Sequence, residues 1–124
     1  MSEARRIRGT TSRKAGRQAE VLAAIWLMLK GYRILGFRLK TPQAEIDILA
    51  AKGAVLAVVE VKSRTSPMAA LEAVSQDQRE RLRRAGRAIA ASRPRLADVS
   101  IRLDLIAMSP RRLPHHIRDA WRAG

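Results

Sequence analysis

A small α/β layer fold is what the pattern of this chain predicts, and three observations carry that expectation. The 124 residues, 47% of them hydrophobic, suffice for one domain around one core. Apolar residues recur at helical spacing in two segments and in short β-type runs in four. Along the chain these follow as helix, three strands, helix, strand.

Residues 1–13 (MSEARRIRGTTSR) are basic, polar and without period, and read as a flexible basic arm; residues 14–124 read as a single domain. From 14 to 30, Ala15, Ala19, Leu22, Ala23 and Trp26 form one apolar helical stripe, with Glu20 at its edge and Gly31 as the stop. Residues 32–39 form a strand and 40–43 a turn or loop. Two further strands, 45–50 (EIDILA) and 54–62 (AVLAVVEVK), are joined by a hairpin turn at Lys52-Gly53. A loop is expected over 63–67 and a long helix over 75–91. Leu82, Ala85, Ile89 and Ala90 face inward from that helix, and Arg79, Arg81, Arg83, Arg84 and Arg87 supply its polar surface. Ser92-Arg93-Pro94 ends it. Residues 99–108 form the last strand, and the tail holds one short helix over 115–121.

The charge balance names a kind of partner. Lys and Arg number 25 against 11 Asp and Glu, a net charge of +14. A fold alone does not call for that excess, whereas a polyanion such as nucleic acid does. With no cysteine, a disulfide scaffold, a thiol nucleophile and cysteine-ligated metal centres are all excluded. No apolar run approaches the roughly 20 residues of a membrane span, and the basic N-terminus lacks a signal peptide's apolar core. No membrane partner and a cytoplasmic setting are therefore expected. Aromatic residues are 3% of the chain, too few for a base-stacking platform. There is no phosphate loop of the GxxxxGK[ST] type, and both histidines lie in the tail, away from any nucleophile signal.

The candidate chemistry lies in the two middle strands. Alternation puts Glu45 and Asp47 on one face of their strand, and Glu60 and Lys62 on one face of the next. Glu60 stands in VVEVK, a run that otherwise reads as buried, and burying an unpaired carboxylate is costly. Hairpin pairing brings Asp47 within a residue or two of Glu60, and directly opposed residues have Cβ atoms roughly 4.5–5.5 Å apart. Two such carboxylates repel each other. Lys62 supplies one positive charge, and a divalent metal would supply more. On pattern alone a plain salt bridge in the sheet and a metal site explain the residues equally well. Glu20 either reaches that metal from the first helix or pairs with Arg17 or Lys30. Asp104 pairs with Arg102 or with an arginine of the long helix, and His115 and His116 form a surface pair. Phosphate contacts are expected from Arg13, Lys14, Arg17, Arg64, Arg79, Arg83 and Arg87, positioning a duplex without reading its sequence.

Five segments, GRQAE (16–20), AEIDILA (44–50), VVEVKSR (58–64), AVSQDQRERL (73–82) and RLDLI (102–106), resemble the YraN family. That family is related to Holliday-junction resolvases in the restriction-endonuclease-like PD-(D/E)XK superfamily. The resemblance spans residues 14–121. It implies a mixed central β-sheet flanked by α-helices, and a nuclease-like domain over 14–124. It implies that Asp47 is the acidic metal ligand, that Glu60 and Lys62 are the E-x-K pair, and that Glu20 is the helix-borne acid. Glu45 matches the glutamate of the family's G-E-I-D. Two positions depart. Ala44 stands where the family has Gly, and a backbone of positive φ would be strained there. Gln78 stands where the family often has Lys. The resulting expectation is an Mg²⁺- or Mn²⁺-dependent endonuclease acting on structured or branched DNA, as a C2 homodimer that nicks two strands symmetrically. The alternative, which Gln78 favours, is a non-catalytic nucleic-acid-binding protein with a vestigial nuclease fold.

Overall fold

The computed structural model describes residues 3–122, with side chains from Gly16 to Arg122. Helix α1 (Glu3–Leu29) leads into three strands, β1 (Arg33–Lys40), β2 (Glu45–Lys52) and β3 (Val55–Ser63). Helices α2 (Pro67–Glu72) and α3 (Gln76–Ser92) and a 3₁₀ turn (Pro94–Leu96) follow, then β4 (Ser100–Met108) and β5 (His115–Ile117). One five-stranded sheet runs in the order β1-β2-β3-β4-β5. All its pairings are antiparallel except β3 with β4, which is parallel. The α2–α3 segment makes that parallel crossover, because a parallel pair cannot be joined by a tight turn. A mixed sheet flanked by helices is consistent with the restriction-endonuclease-like fold.

The apolar strands β2, rich in isoleucine and alanine, and β3, rich in valine, lie inside the sheet and are buried on both faces, as their near-continuous apolar runs require. One face packs Leu49, Ala51, Leu56, Val58 and Leu103 against Leu82 and Ala85 of α3. The other packs Ile48, Ala50, Ala57, Val59 and Ile106 against Ala23, Ala24 and Leu27 of α1. Helix α3 lies so close to the sheet at Gly86 that an added Cβ would stand 2.7 Å from a Val58 methyl. The β2–β3 hairpin turns through Gly53 at φ +57°, a left-handed backbone that favours glycine.

The element order follows the sequence pattern, with four differences. Helical backbone extends to Glu3, through most of the expected arm of residues 1–13; residues 1 and 2 lie outside the described residues. The buried stripe of α1 is Ala19, Ala23, Ala24 and Leu27, whereas Leu22 is 53% exposed and Trp26 only half-buried. Leu22 points outward with Val21, Ile25, Met28 and Leu29. So much of α1 is apolar that either stripe fits the helical period, and the alanines win because small side chains let the helix approach the sheet. The loop expected after 63 contains the short helix α2, capped by the Ser66 hydroxyl, which accepts the Ala69 N–H at 3.1 Å. The tail forms strand β5 rather than a short helix, and Trp121 beyond it donates its indole N–H to the Leu71 carbonyl. Among the described residues no helix is long and apolar enough to cross a membrane.

Candidate functional site

Strands β2 and β3 pair from Lys52↔Val55 to Ile48↔Val59, and Asp47 and Glu60 follow directly beyond the last pair. There the ladder gives way to side chains. The Val61 N–H donates to Asp47 Oδ2 at 2.9 Å. The Asp47 N–H in turn lies close enough to the Glu60 carboxylate to favour its ionised form. The two acids meet just beyond the ladder, but not by simple alternation: Leu49 and Val58 pack under α3, whereas Asp47 lines a cavity walled by α1.

Their electrostatics are unfavourable. Glu60 is 2% exposed, and its Oε1 has no hydrogen-bond partner among the described residues. Burial first, then the neighbouring Asp47 charge, pushes the Glu60 carboxyl up to about 8; Lys62 only partly opposes this. Asp47 is raised too, by burial above all, and by Glu20 and Glu45, against the Val61 hydrogen bond and Lys62. Lys62 does not offset both charges.

A cavity of about 510 Å³ opens beside it, lined by Glu20, Asp47, Val61, Lys62, Ser63 and Arg64 together with Gly16 and Ala19 of α1. Glu60 is not among the residues that line it. Glu20 faces the cavity, but its carboxylate accepts Arg38 Nε at 2.7 Å instead of pairing with Arg17 or Lys30. Arg38 reaches it from a left-handed backbone at φ 48°, uncommon for a residue with a Cβ. Nothing in the sequence pattern singled out Arg38. Ala44 carries no positive φ; the Thr41 hydroxyl holds that turn instead, bonding both the N–H and the carbonyl of Ala44. Glu45 is exposed at the start of β2.

A divalent cation would suit this donor set. The unpartnered Glu60 oxygen beside the Asp47 carboxylate is a pair of hard-oxygen donors. Among the described residues no three His, Asp or Glu side chains converge on one ion, which leaves two carboxylates and not three.

The expected phosphate-contacting arginines are scattered. The side chains of Arg13 and Lys14 lie outside the described residues. Arg64 lines the site cavity and Arg17 is exposed on α1. Arg79 lies 5.6 Å from the Trp121 ring centre, and Arg83 donates to the Trp121 carbonyl at 2.8 Å, so both hold the tail. Arg81 and Arg84 pair with Asp77 and Glu80 at 2.7 and 3.9 Å. Only Arg87 of the five projects without a partner among the described residues.

A second buried acid lies one strand away. Asp104 on β4 is 0% exposed. It accepts Arg102 Nε and Nη2 and His116 Nε2, each at 2.8 Å, and the Asp119 N–H at 3.0 Å. Lys30 Nζ stands 2.6 Å from His116 Nδ1. Since an ammonium only donates, His116 carries its proton on Nε2 toward Asp104. Burial raises the Asp104 carboxyl, but the His116, Arg102 and Asp119 bonds outweigh it and hold it below its ordinary value. The expected Asp104–Arg102 pair is present. His116, however, is no surface residue: its side chain is 1% exposed, while His115 is exposed.

The model of the "Uncharacterised protein family UPF0102" matches residues 19–108, which include Glu20, Asp47, Glu60, Lys62 and Asp104. A UPF0102 protein of Caulobacter vibrioides (strain NA1000 / CB15N) is 64% identical over 117 residues, covering 94% of each chain. One from Caulobacter sp. (strain K31) is 66% identical over 114 residues, 92% of this chain and 82% of the relative. A third, from Parvibaculum lavamentivorans, is 46% identical over 114 residues, 92% of this chain and 86% of its own. A family match over most of the chain, and relatives this similar along nearly their whole length, make the chain a member of the UPF0102 family, the family its five sequence segments resemble.

Proposed function

We propose that this protein hydrolyses phosphodiester bonds in structured or branched DNA with the help of Mg²⁺ or Mn²⁺, as a cytoplasmic member of the resolvase-related nucleases. One observation carries the reading: a glutamate buried to 2% exposure, with an unpartnered oxygen, beside a second carboxylate whose charge raises its pKa. A protein that needed only a stable sheet would place valine there, as it does at Val58 and Val59.

Asp47 and Glu60 would hold the cation, which would polarise a phosphoryl oxygen and acidify an attacking water. The Val61 N–H fixes the Asp47 carboxylate in place. Glu60, pushed up to about 8, keeps its proton at neutral pH until positive charge arrives, so cation binding releases a proton. Lys62, which weighs against both carboxylates' upward shifts, stabilises charge developing on the phosphate. Arg64 at the same cavity holds a flanking phosphate, and Glu20 with Arg38 closes the α1 side. Two-strand cleavage requires two such sites, which a homodimer supplies.

Nicking of supercoiled plasmid and of a four-way junction, with each divalent ion, tests this. Wild type should cut, and Asp47→Asn and Lys62→Ala should each lose at least about 100-fold in rate. Binding without cleavage under any ion would leave the second reading, a non-catalytic nucleic-acid-binding protein. Gln78 in place of the family's frequent Lys, and the engagement of Glu20 by Arg38, favour that reading.

A further inference from the structure

Where the 3₁₀ turn Pro94–Leu96 folds against the start of β1, a cavity of about 530 Å³ opens between Arg33, Arg93 and Arg95. Its floor is apolar: Leu35, Pro94 and Leu96, the last only 6% exposed. An adjoining cavity of about 470 Å³ shares Arg93, Pro94 and Leu96 and adds Arg87 from α3. No acidic side chain lines either one. We propose that this double cleft is a binding site for a nucleoside phosphate, its phosphate held by the guanidinium groups and its base laid on the apolar floor.

The distribution of partners along α3 carries the inference. Arg81 and Arg84 have carboxylates one turn away, and Arg79 and Arg83 are taken up by Trp121. Arg87, which turns toward the cleft, has no side-chain acceptor among the described residues, and neither do Arg33, Arg93 and Arg95. Arg33, Arg93 and Arg95 line one cavity and Arg87 and Arg93 the other, and a phosphate placed between them would take charge-assisted, bidentate hydrogen bonds. The cavity volume is within the range of small-molecule sites, and a charged rim above an apolar floor suits a ligand with one charged end and one flat end.

The cleft is separate from the Asp47–Glu60 site. Arg33 pairs with Ala51, four residues along β2 from Asp47, or roughly 14 Å at strand spacing. Leu35 and Leu96 belong to the face covered by α3, whereas the Asp47 cavity is walled by α1. The assignment therefore stands whether or not the protein cleaves DNA.

Titration calorimetry of the full chain in EDTA tests it, with inorganic phosphate, adenosine, AMP, and a short single strand with and without a 5′-phosphate as probes. AMP should bind more tightly than phosphate and than adenosine. The double variant Arg93→Gln/Arg95→Gln should weaken AMP binding about tenfold or more, and Arg33→Gln/Arg87→Gln, drawn from other elements, should do the same. Arg81→Gln/Arg84→Gln, which removes equal charge from the same helix, should change it by less than about twofold. The strand bearing a 5′-phosphate out-competing AMP assigns the cleft to a strand end, and the reverse assigns it to a free nucleotide; either supports the proposal. Equal losses in all three double variants would reduce it to net charge, and equal affinity for phosphate and AMP would remove the base from the site; either overturns it.

Discussion

Two buried acids sit on neighbouring strands of this sheet, and their surroundings differ completely. Asp104 is wholly buried, accepts four hydrogen bonds, and is held below the ordinary carboxylate range. Glu60 is as deeply buried, keeps one oxygen unpartnered, and is pushed up to about 8 by burial and by Asp47. Burial alone therefore does not mark a functional acid. What separates the two is whether the protein supplies the hydrogen-bond donors the carboxylate needs. Asp104 is completed from within by Arg102 and His116, and it locks β4, β5 and the tail together. Glu60 keeps an oxygen with no partner among the described residues.

The largest expected effect breaks the completed acid. Asp104→Ala leaves the buried His116 and the half-buried Arg102 without their anion and should cost about 3–5 kcal/mol in urea unfolding. Wild-type stability should also fall in acid as this group protonates. Its contribution is present above the ordinary carboxylate pKa and is lost as pH drops through the lower folded value.

The incomplete acid should respond with the opposite sign. Because the folded pKa of Glu60 is raised, the folded state holds a proton that the unfolded chain releases above about pH 4.5. The cost of Glu60 is therefore absent near pH 4 and grows as pH rises toward about 8. Glu60→Gln should be close to neutral at low pH and stabilising by roughly 1–3 kcal/mol at pH 8.5, read from melting curves at both values. A Glu60→Gln loss of stability at pH 8.5 would erase the distinction between the two sites.

Smaller still is the effect of a cation. Saturating Mn²⁺ at pH 8 should raise the wild-type melting temperature by a few degrees, on the order of 1 kcal/mol, and leave Asp47→Asn unmoved. Arg38→Ala removes a partly exposed ion pair and should change stability by less than about 1 kcal/mol, while returning a free carboxylate, Glu20, to the cavity.

Much of this was legible in the sequence where local pattern decides. Valine-dense β3 singles out a lone Glu60, and the hairpin turn at Gly53 sets the β2–β3 register from Lys52 to Ile48; period-two alternation fails at Asp47, which lines the α1-side cavity while Leu49 packs under α3. The long helix was readable from Ser75 and its arginine-studded amphipathic pattern. What escaped depends on contacts distant in the chain. His116 reads as a tail residue until β5 lays it against Asp104, twelve residues back, and Lys30, eighty-six back. Arg79 and Arg83 read as a solvated face until Trp121 folds onto them. Arg38 meets Glu20 only through an unusual backbone angle that no pattern signals.

Mn²⁺ binding followed by electron paramagnetic resonance at pH 8 probes the charge deficit most directly, using wild type, Asp47→Asn, Glu60→Gln and Asp104→Asn with a four-way junction present. One bound ion per chain should appear in wild type, persist in any Asp104→Asn protein that folds, and vanish in both Asp47→Asn and Glu60→Gln. An ion that binds equally well without Asp47 or Glu60, or no bound ion in wild type, would contradict the claim that this acid pair is built to receive one.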